Sequence, residues 1–331
     1  MLQKYLNSIK KTRQRFFIET ALKMGIKVEI VSENFRILKF SDGKKSNLLY
    51  KEQFFFNKKP SIFFAKNKEI TKILLGKEGL SVPSGIFAKN YGEAVRLIKK
   101  KGLNFPLVAK PIDAAKGLGV TLNITSFSEL KKAISKIQRL TKKITSMECS
   151  GEFIVETMKK GNDFRVLVLN NKVVGCIQRI PAYLIGDGKN NIERLIEIFN
   201  KTRPISYKIK IDKELLKKIA MLNLDLSSIL KKNQRVQLRD NANISSGGKA
   251  IDKTPSISPR FTKIATRAAN ALGLNFAGID VMTADIASNN LKQPYFIIEI
   301  NGAPDYDIHE KPIVSGKGVK VTELLVKEFI K

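Results

Sequence analysis

Short apolar and polar runs alternate through the first 60 positions. VEIVSE and FRILKF read as strands, and Asp42-Gly43 predicts a hairpin turn, in a stretch without a chemical motif. The period then lengthens. In NKEITKILLGKEG, residues Ile70, Ile73 and Leu74 recur at helical spacing and Gly79 marks the stop, while VPSG reads as a turn. A further helix is predicted over 91–101. FPLVAKP is a short apolar run closed by Pro111, a buried strand with Lys110 at its edge, and IDAAKGLGV follows as a glycine-containing loop. SFSELKKAISKIQRL combines a capping box from Ser126 to Glu129 with an apolar face of Leu130, Ile134, Ile137 and Leu140.

Beyond this helix EFIVE reads as a strand, and RVLVLNNKVVGCIQR as two strands joined at Asn170-Asn171, so the chain turns antiparallel here. SPRFTKIATRAANALG has Ser258 as N-cap, Pro259 at the first helical position and Gly273 as terminator. FAGIDVM and PYFIIEIN flank a polar loop and are expected to pair as neighbours. No repeat or Pro/Ser linker separates the lobes, so they are expected to pack together. One stretch fits neither period: LRDNANISSGGKAID, residues 238–252, is rich in hydrogen-bonding groups and cannot bury a face. Such a segment is built to hold something else.

Composition narrows the class. With 331 residues, 43% apolar and 27% charged, the chain is an ordinary globular one, long enough for two or three lobes. Its formal charge of +30 attracts nucleic acid, anionic membrane or a small acidic substrate without choosing among them. The basic residues are spread along the chain, more like a background bias than a docking arm. Cys149 and Cys176 are too far apart for a CxxC pair, a single histidine, His309, rules out a His-based metal cluster, and the opening segment lacks the apolar core of a signal peptide. A cytoplasmic protein with no membrane span is expected.

Strand periodicity puts Glu299 and Asn301 on one face of IEIN, and Asp280 in the partner strand adds a third oxygen donor. An oxygen-only set suits a hard cation such as Mg²⁺, although polar strand ends facing solvent would look the same. Lys110 and the loop carrying Lys116, Gly117 and Gly119 could hold phosphates with an ammonium and backbone amides, but such a loop is most often only a turn. Arg179 lies at the hairpin exit, and Glu156, Asp163 and Arg165 surround a strand end, where surface charge is the plain alternative.

Together these pieces resemble the ATP-grasp superfamily. LRDNANISSGGKAID is similar to the LR-x-x-AN-[IL]-S-x-GG-x-AID signature of the ATP-grasp domain of cyanophycin synthetase, and more loosely to the ATP-grasp part of bifunctional glutathione synthetases. The NKEITK helix, VAKP, KGLGV, VE with G-x-D-x-R, RIPAYLIGDG, GIDVM and EINGAP follow in the same order over residues 60–330. The resemblance implies an α+β, ATP-grasp fold: a short N-terminal lobe over 1–60, then an N-lobe over 61–155 and a C-lobe over 156–331 that grip ATP between them.

It also implies roles. Lys68, Lys110, Lys116, Gly117 and Gly119 would hold ATP phosphates, Glu156 would lie beside adenine, and Asp163 would hold the ribose. Arg179 and Arg239 would neutralise the transferring phosphate. Asn243, Ser245, Ser246 and the Gly247 and Gly248 amides would face the substrate carboxylate. Asp280, Glu299 and Asn301 would bind Mg²⁺, with Mn²⁺ as a substitute. The activity implied is ATP-dependent ligation of a carboxylate, an acidic amino acid or peptide, to an amine through an acyl phosphate. A glutathione-synthetase-like ligase is the alternative within the class, and a non-catalytic basic nucleic-acid-binding protein the alternative outside it. Asp305 and Asp307 depart from the family pattern near the amine site, and the chain stops at Lys331 where cyanophycin synthetase continues, which points to a single condensation. A homo-oligomer is left open.

Overall fold

The leading runs form α1 (Leu2–Ser8), α2 (Arg13–Lys23) and an antiparallel meander of β1 (Lys27–Ser32), β2 (Ile37–Ser41) and β3 (Ser46–Tyr50) in the computed structural model of the chain. The structure describes residues 2–9, 13–51, 56–114, 117–143, 151–203, 207–310 and 314–331. Asp42 closes the β2–β3 turn by accepting from the amides of Lys44 and Lys45 at 2.8 and 2.7 Å. The meander does not stand alone. Phe17 and Phe40 meet each other and Phe329 of the C-terminal helix edge to face, with centroids 5.4 Å apart for the first pair and 5.7 and 5.6 Å from Phe329. Leu167, Leu169 and Phe276 of the large sheet complete this core.

Asn67 joins α3 (Lys59–Lys66) to α4 (Lys68–Lys77): its amide donates back to Phe63 while its side chain accepts from Glu69 and Ile70. The buried face of α4 is Lys68, Thr71 and Leu75; Leu74 packs partly against the same core while Ile73 is exposed, so the helix is rotated by part of a turn from a face centred on Ile70, Ile73 and Leu74. Tertiary packing sets the rotation, because Ala65, Leu75 and Leu80 enter the core of the large sheet. Packing therefore divides the expected 61–155 segment, with α3 and α4 on the large sheet.

The remainder of that segment is a separate small lobe of β4 (Gly85–Ala88), α5 (Tyr91–Lys101), β5 (Leu107–Pro111), β6 (Thr121–Ile124), α6 (Phe127–Lys143) and β7 (Phe153–Thr157). Its antiparallel sheet runs β4-β7-β5-β6. The helices cover one face, burying Ile98, Leu130, Ile134 and Ile137 against Ile86, Leu107 and Phe153.

Next, β8 (Asn162–Leu169) and β9 (Lys172–Ile180) form the predicted hairpin, with Asn170 and Asn171 at φ +45° and +63°, the left-handed region a tight turn requires. A subdomain of β10 (Tyr183–Ile185), α7 (Ile192–Lys201), α8 (Lys213–Ala220) and β11 (Arg235–Gln237) is inserted before β12 (Lys249–Asp252). It has its own core around Leu184, Ile196, Leu215 and Leu238. Then α9 (Pro259–Ala271), capped by Ser258, leads into β13 (Phe276–Thr283) and β14 (Tyr295–Asn301), which pair as expected. The large sheet runs β12-β9-β8-β13-β14, and α9 covers one face through Phe261, Ala265 and Ala268. Short α10 (Asp307–Glu310) and α11 (Val321–Ile330) lie beyond it. Among the described residues no helix is long and apolar enough to cross a membrane.

The other face of this sheet is split. Its lower part is apolar, its upper part charged, and His309 sits at the boundary, 1% exposed. Gly175 makes room, since a Cβ there would lie 2.9 Å from His309 Nδ1. Among the described residues neither ring nitrogen has a hydrogen-bond partner, and burial, reinforced by Arg165 and Arg179, lowers the imidazole to about 3. The thiol of Cys176 is pushed up to about 12 by burial and is inert, whereas Cys149 lies outside the described residues.

Two stability predictions result. Phe329→Ala removes the ring shared by the leading lobe and α11 and should lower the unfolding free energy by about 3–5 kcal/mol, read from urea titrations. The His309 imidazole takes a proton readily when unfolded, below its ordinary value of about 6.5, but not when folded until about 3. The unfolded chain thus binds the extra proton in that window, and stability must fall as pH falls. Between about pH 6.5 and 5 the loss should approach about 1.4 kcal/mol per unit, and His309→Leu should flatten it. A wild-type profile already flat there would contradict the buried neutral imidazole.

Candidate active site

A crevice between the small lobe and the large sheet collects Lys68, Thr71, Lys72, Lys110, Glu156 and Glu299. Each arrives for a local reason. Lys68 and Lys72 are one helical turn apart on α4 and share a face. Lys110 and Glu156 come from neighbouring antiparallel strands, β5 and β7. The Glu156 carboxylate, 4% exposed, accepts from Lys72 Nζ at 2.8 Å and from Lys110 Nζ at 2.7 Å. Burial would raise its pKa, but the two ammonium groups hold it below the usual carboxylate range. Lys68 donates to the carbonyl of Ala114 at 2.7 Å and lies 3.8 Å from Glu299. Burial lowers its pKa against the opposing pull of Glu299. Lys110 also reaches the Ile298 carbonyl on β14, at 3.4 Å, so it touches both lobes.

On the large sheet, register does the assembly. Asp280 on β13 stands opposite Glu299 on β14 and Arg165 on β8, and Asp163 stands opposite Arg179. Arg165 donates to both Asp280 oxygens at 2.7 and 2.8 Å, and Arg179 bridges Asp280 and Asp163 at 2.9 and 2.6 Å. Burial would raise the Asp280 pKa, but the two guanidinium groups hold it down. Gly278 stands opposite Asn301, so Asp280, Glu299 and Asn301 project from one face, and Asn301 Nδ2 is buried without a partner among the described residues. Among the described residues no three His, Cys, Asp or Glu gather into a metal cluster. Both Asp280 oxygens are taken by Arg165 and Arg179, so the oxygen donors left open on this face are Glu299 and the Asn301 amide; they fit a hard cation completed by phosphate oxygens, and Asp280 would join them by exchanging an arginine for the metal.

The 238–252 stretch wraps a 3₁₀ turn, Ile244–Ser246, closed by Gly247 at φ +94°. Here the structure corrects an expectation. The Gly247 and Gly248 amides donate to the carbonyls of Ile244 and Asn243, both at 3.1 Å, because the turn closes on itself, so neither faces outward as a donor. Ser246 is likewise bonded to Asn241 Oδ1, at 3.0 Å, whereas Ser245 is exposed. Asn243 points at the glycine loop: a Cβ on Gly117 would lie 2.7 Å from its Nδ2. Gly117 and Gly119 both adopt left-handed backbone, at φ +74° and +76°, and Lys116 lies outside the described residues. The loops expected to hold phosphate and carboxylate thus meet.

Arg239 is not in this group. It is 2% exposed and makes a two-pronged pair with Asp212, at 2.8 Å on both sides, tying the subdomain to the loop instead of facing the crevice. Two residues of this neighbourhood escaped the sequence reading, and a third, Arg165, was noted at its strand end without a role. Lys72 is four residues from Lys68, a spacing that could have revealed it. Arg203 left no signal: it is buried and donates to the carbonyls of Gly247 and Gly248 at 2.8 and 2.7 Å, fixing the turn from below.

Residues 65–221 match the family model described as RimK-like ATP-grasp domain. Cyanophycin synthetase of Crocosphaera subtropica is 37% identical over 259 residues, 76% of this chain and 29% of that protein. The glutathione biosynthesis bifunctional protein GshAB of Clostridium perfringens is 30% identical over 329 residues, 94% of this chain and 40% of that protein. The crystal structure of a bifunctional glutathione synthetase from Pasteurella multocida superposes with a TM-score of 0.65 at 25% identity, covering 95% of this chain and 43% of the other. The chain thus spans well under half the length of these relatives. A crevice of buried lysines between a small antiparallel lobe and a charged sheet face, in a chain with this likeness along its length, shows that the chain has the ATP-grasp fold, with a RimK-like ATP-grasp domain over residues 65–221.

Proposed function

We propose that this chain is an ATP-dependent carboxylate–amine ligase acting on an acidic amino acid or peptide, with an amide or peptide bond as its product. The supporting observation is the crevice itself. Lys68 and Lys110 converge there with Glu299, so cations suited to phosphate oxygens lie beside the oxygen donors suited to Mg²⁺. Lys68 and Lys110 would hold the phosphates, with the Gly117–Gly119 turn folded over them. Asp280, Glu299 and Asn301 would hold Mg²⁺, which when bound offsets the negative charge of the phosphates. Arg179, already on that face, supplies positive charge for the phosphoryl group as the substrate carboxylate attacks and ADP departs. The amine then attacks the acyl carbon and phosphate leaves. No protein nucleophile is required, and rate enhancement comes from positioning anionic reactants and neutralising their charge. The net charge of +30 favours an acidic carboxylate substrate.

The test is release of phosphate from ATP across pairs of acidic peptides and amino acids, with mass spectrometry of the product. Release should require both partners and should weaken with added salt. Glu299→Gln should reduce turnover by orders of magnitude with little effect on folding, and raised Mg²⁺ should partly restore it. Lys110→Ala should lose turnover without Mg²⁺ rescue. Equal activity in Glu299→Gln and wild type would remove the metal assignment, and absence of any acid–amine pair that drives phosphate release would remove the ligase reading.

A further inference from the structure

Glu156 is one buried carboxylate held by two lysines from different elements, Lys72 on α4 and Lys110 on β5, at 2.8 and 2.7 Å. The three side chains are 15%, 7% and 4% exposed for Lys72, Lys110 and Glu156, so water does little to screen them. A carboxylate at such a site must keep a cation partner, because an uncompensated buried charge is strongly destabilising. One lysine would satisfy that need. Lys110 is the one positioned to leave, since it also contacts the Ile298 carbonyl beside Glu299, whereas the ion pair with Glu156 is the only contact described for the Lys72 ammonium.

From this arrangement we infer that Lys72 is a positioning residue that retains Glu156 when a nucleotide draws Lys110 onto its phosphates. The inference rests on the nucleotide reading of the crevice. With Lys72 present, phosphate oxygens can take the Lys110 ammonium while Glu156 remains neutralised by the other lysine. Without it, every phosphate contact of Lys110 strands a buried carboxylate, and ATP must compete with Glu156 for the same cation. The geometry makes a specific demand on chemistry: the handicap should scale with the ligand's phosphates, because adenosine asks nothing of Lys110. Gly85 shows how closely the trio is built in, since a Cβ there would lie 2.8 Å from Glu156 Cγ and 2.9 Å from Lys72 Nζ.

Calorimetric titration of the full chain with ATP and with adenosine tests this, using Lys72→Met, Lys72→Arg, Glu156→Gln and the Lys72→Met/Glu156→Gln double variant. Lys72→Met should weaken ATP binding by about tenfold or more while changing adenosine affinity less than about twofold, and Lys72→Arg should bind ATP close to wild type. In the Glu156→Gln background, Lys72→Met should carry no further penalty, because there is no carboxylate left to strand. If ATP affinity is unchanged in Lys72→Met, or adenosine weakens equally, or the penalty persists beside Glu156→Gln, Lys72 acts otherwise and the inference is overturned. If Lys72→Met fails to fold, Lys72→Gln replaces it with the same expectations. Wild-type protein that binds neither ligand overturns the nucleotide reading itself, a result distinct from the other three.

Discussion

Much of this molecule is arranged around the difficulty of keeping one carboxylate out of water. Glu156 lies where the small lobe closes on the large sheet, and its charge is tolerable there only because α4 supplies Lys72 and β5 supplies Lys110. That requirement agrees with the rotation of α4 set by its packing on the large sheet, which turns Lys68 and Thr71 inward and leaves Ile73 exposed. By packing, α4 belongs to the large sheet: Leu75, one turn beyond Thr71, anchors in the core while the lysines reach across to the other lobe. A single ion cluster thereby ties together three elements that are distant in sequence. Two lysines sharing one carboxylate leave the crevice with more cation than it consumes, the condition for accepting an anion.

The large sheet handles charge differently. On its upper face acidic and basic side chains alternate across strands, so Arg165 and Arg179 neutralise Asp280 and Asp163 without help from solvent. Glu299 stands outside this network, at 3.8 Å from Lys68. The face therefore has a closed, self-compensated part and an open edge along β14 where Glu299 and Asn301 stand. The open edge borders the crevice lysines, and Asp280 and Arg179 stand next to it across the strands, so cation, phosphate and carboxylate chemistry would converge at that border.

Legibility in the sequence followed local determinism. The Asn170-Asn171 hairpin, the Ser258 cap and the pairing of β13 with β14 were readable because each is specified by a few adjacent residues. Asp280, Glu299 and Asn301 were readable as one face because strand period and pairing settle it. The rotation of α4 was not, since Ile70, Ile73 and Leu74 give as good a helical stripe as the one used, and only tertiary packing decides between them. The same limit hid the fate of the Gly247 and Gly248 amides. A Gly-Gly pair permits outward donors or a closed 3₁₀ turn equally, and Arg203, remote in sequence and buried beneath, holds the closed form.

Closure of that turn changes how the loop can act. With the glycine amides spent internally, the outward features of LRDNANISSGGKAID include the exposed Asp240 and Ser245 and the Asn243 side chain set against Gly117. The loop's rigidity then comes from below, through a buried guanidinium that binds two carbonyls and whose pKa burial depresses to about 10. Arg239 adds a second anchor through Asp212, from the subdomain side. Two arginines that sequence alone would assign to substrate charge, or overlook, instead hold a short polar turn in one shape against the glycine loop. Rigid placement of a few donors is what a site needs when its work is to orient reactants rather than to supply a nucleophile.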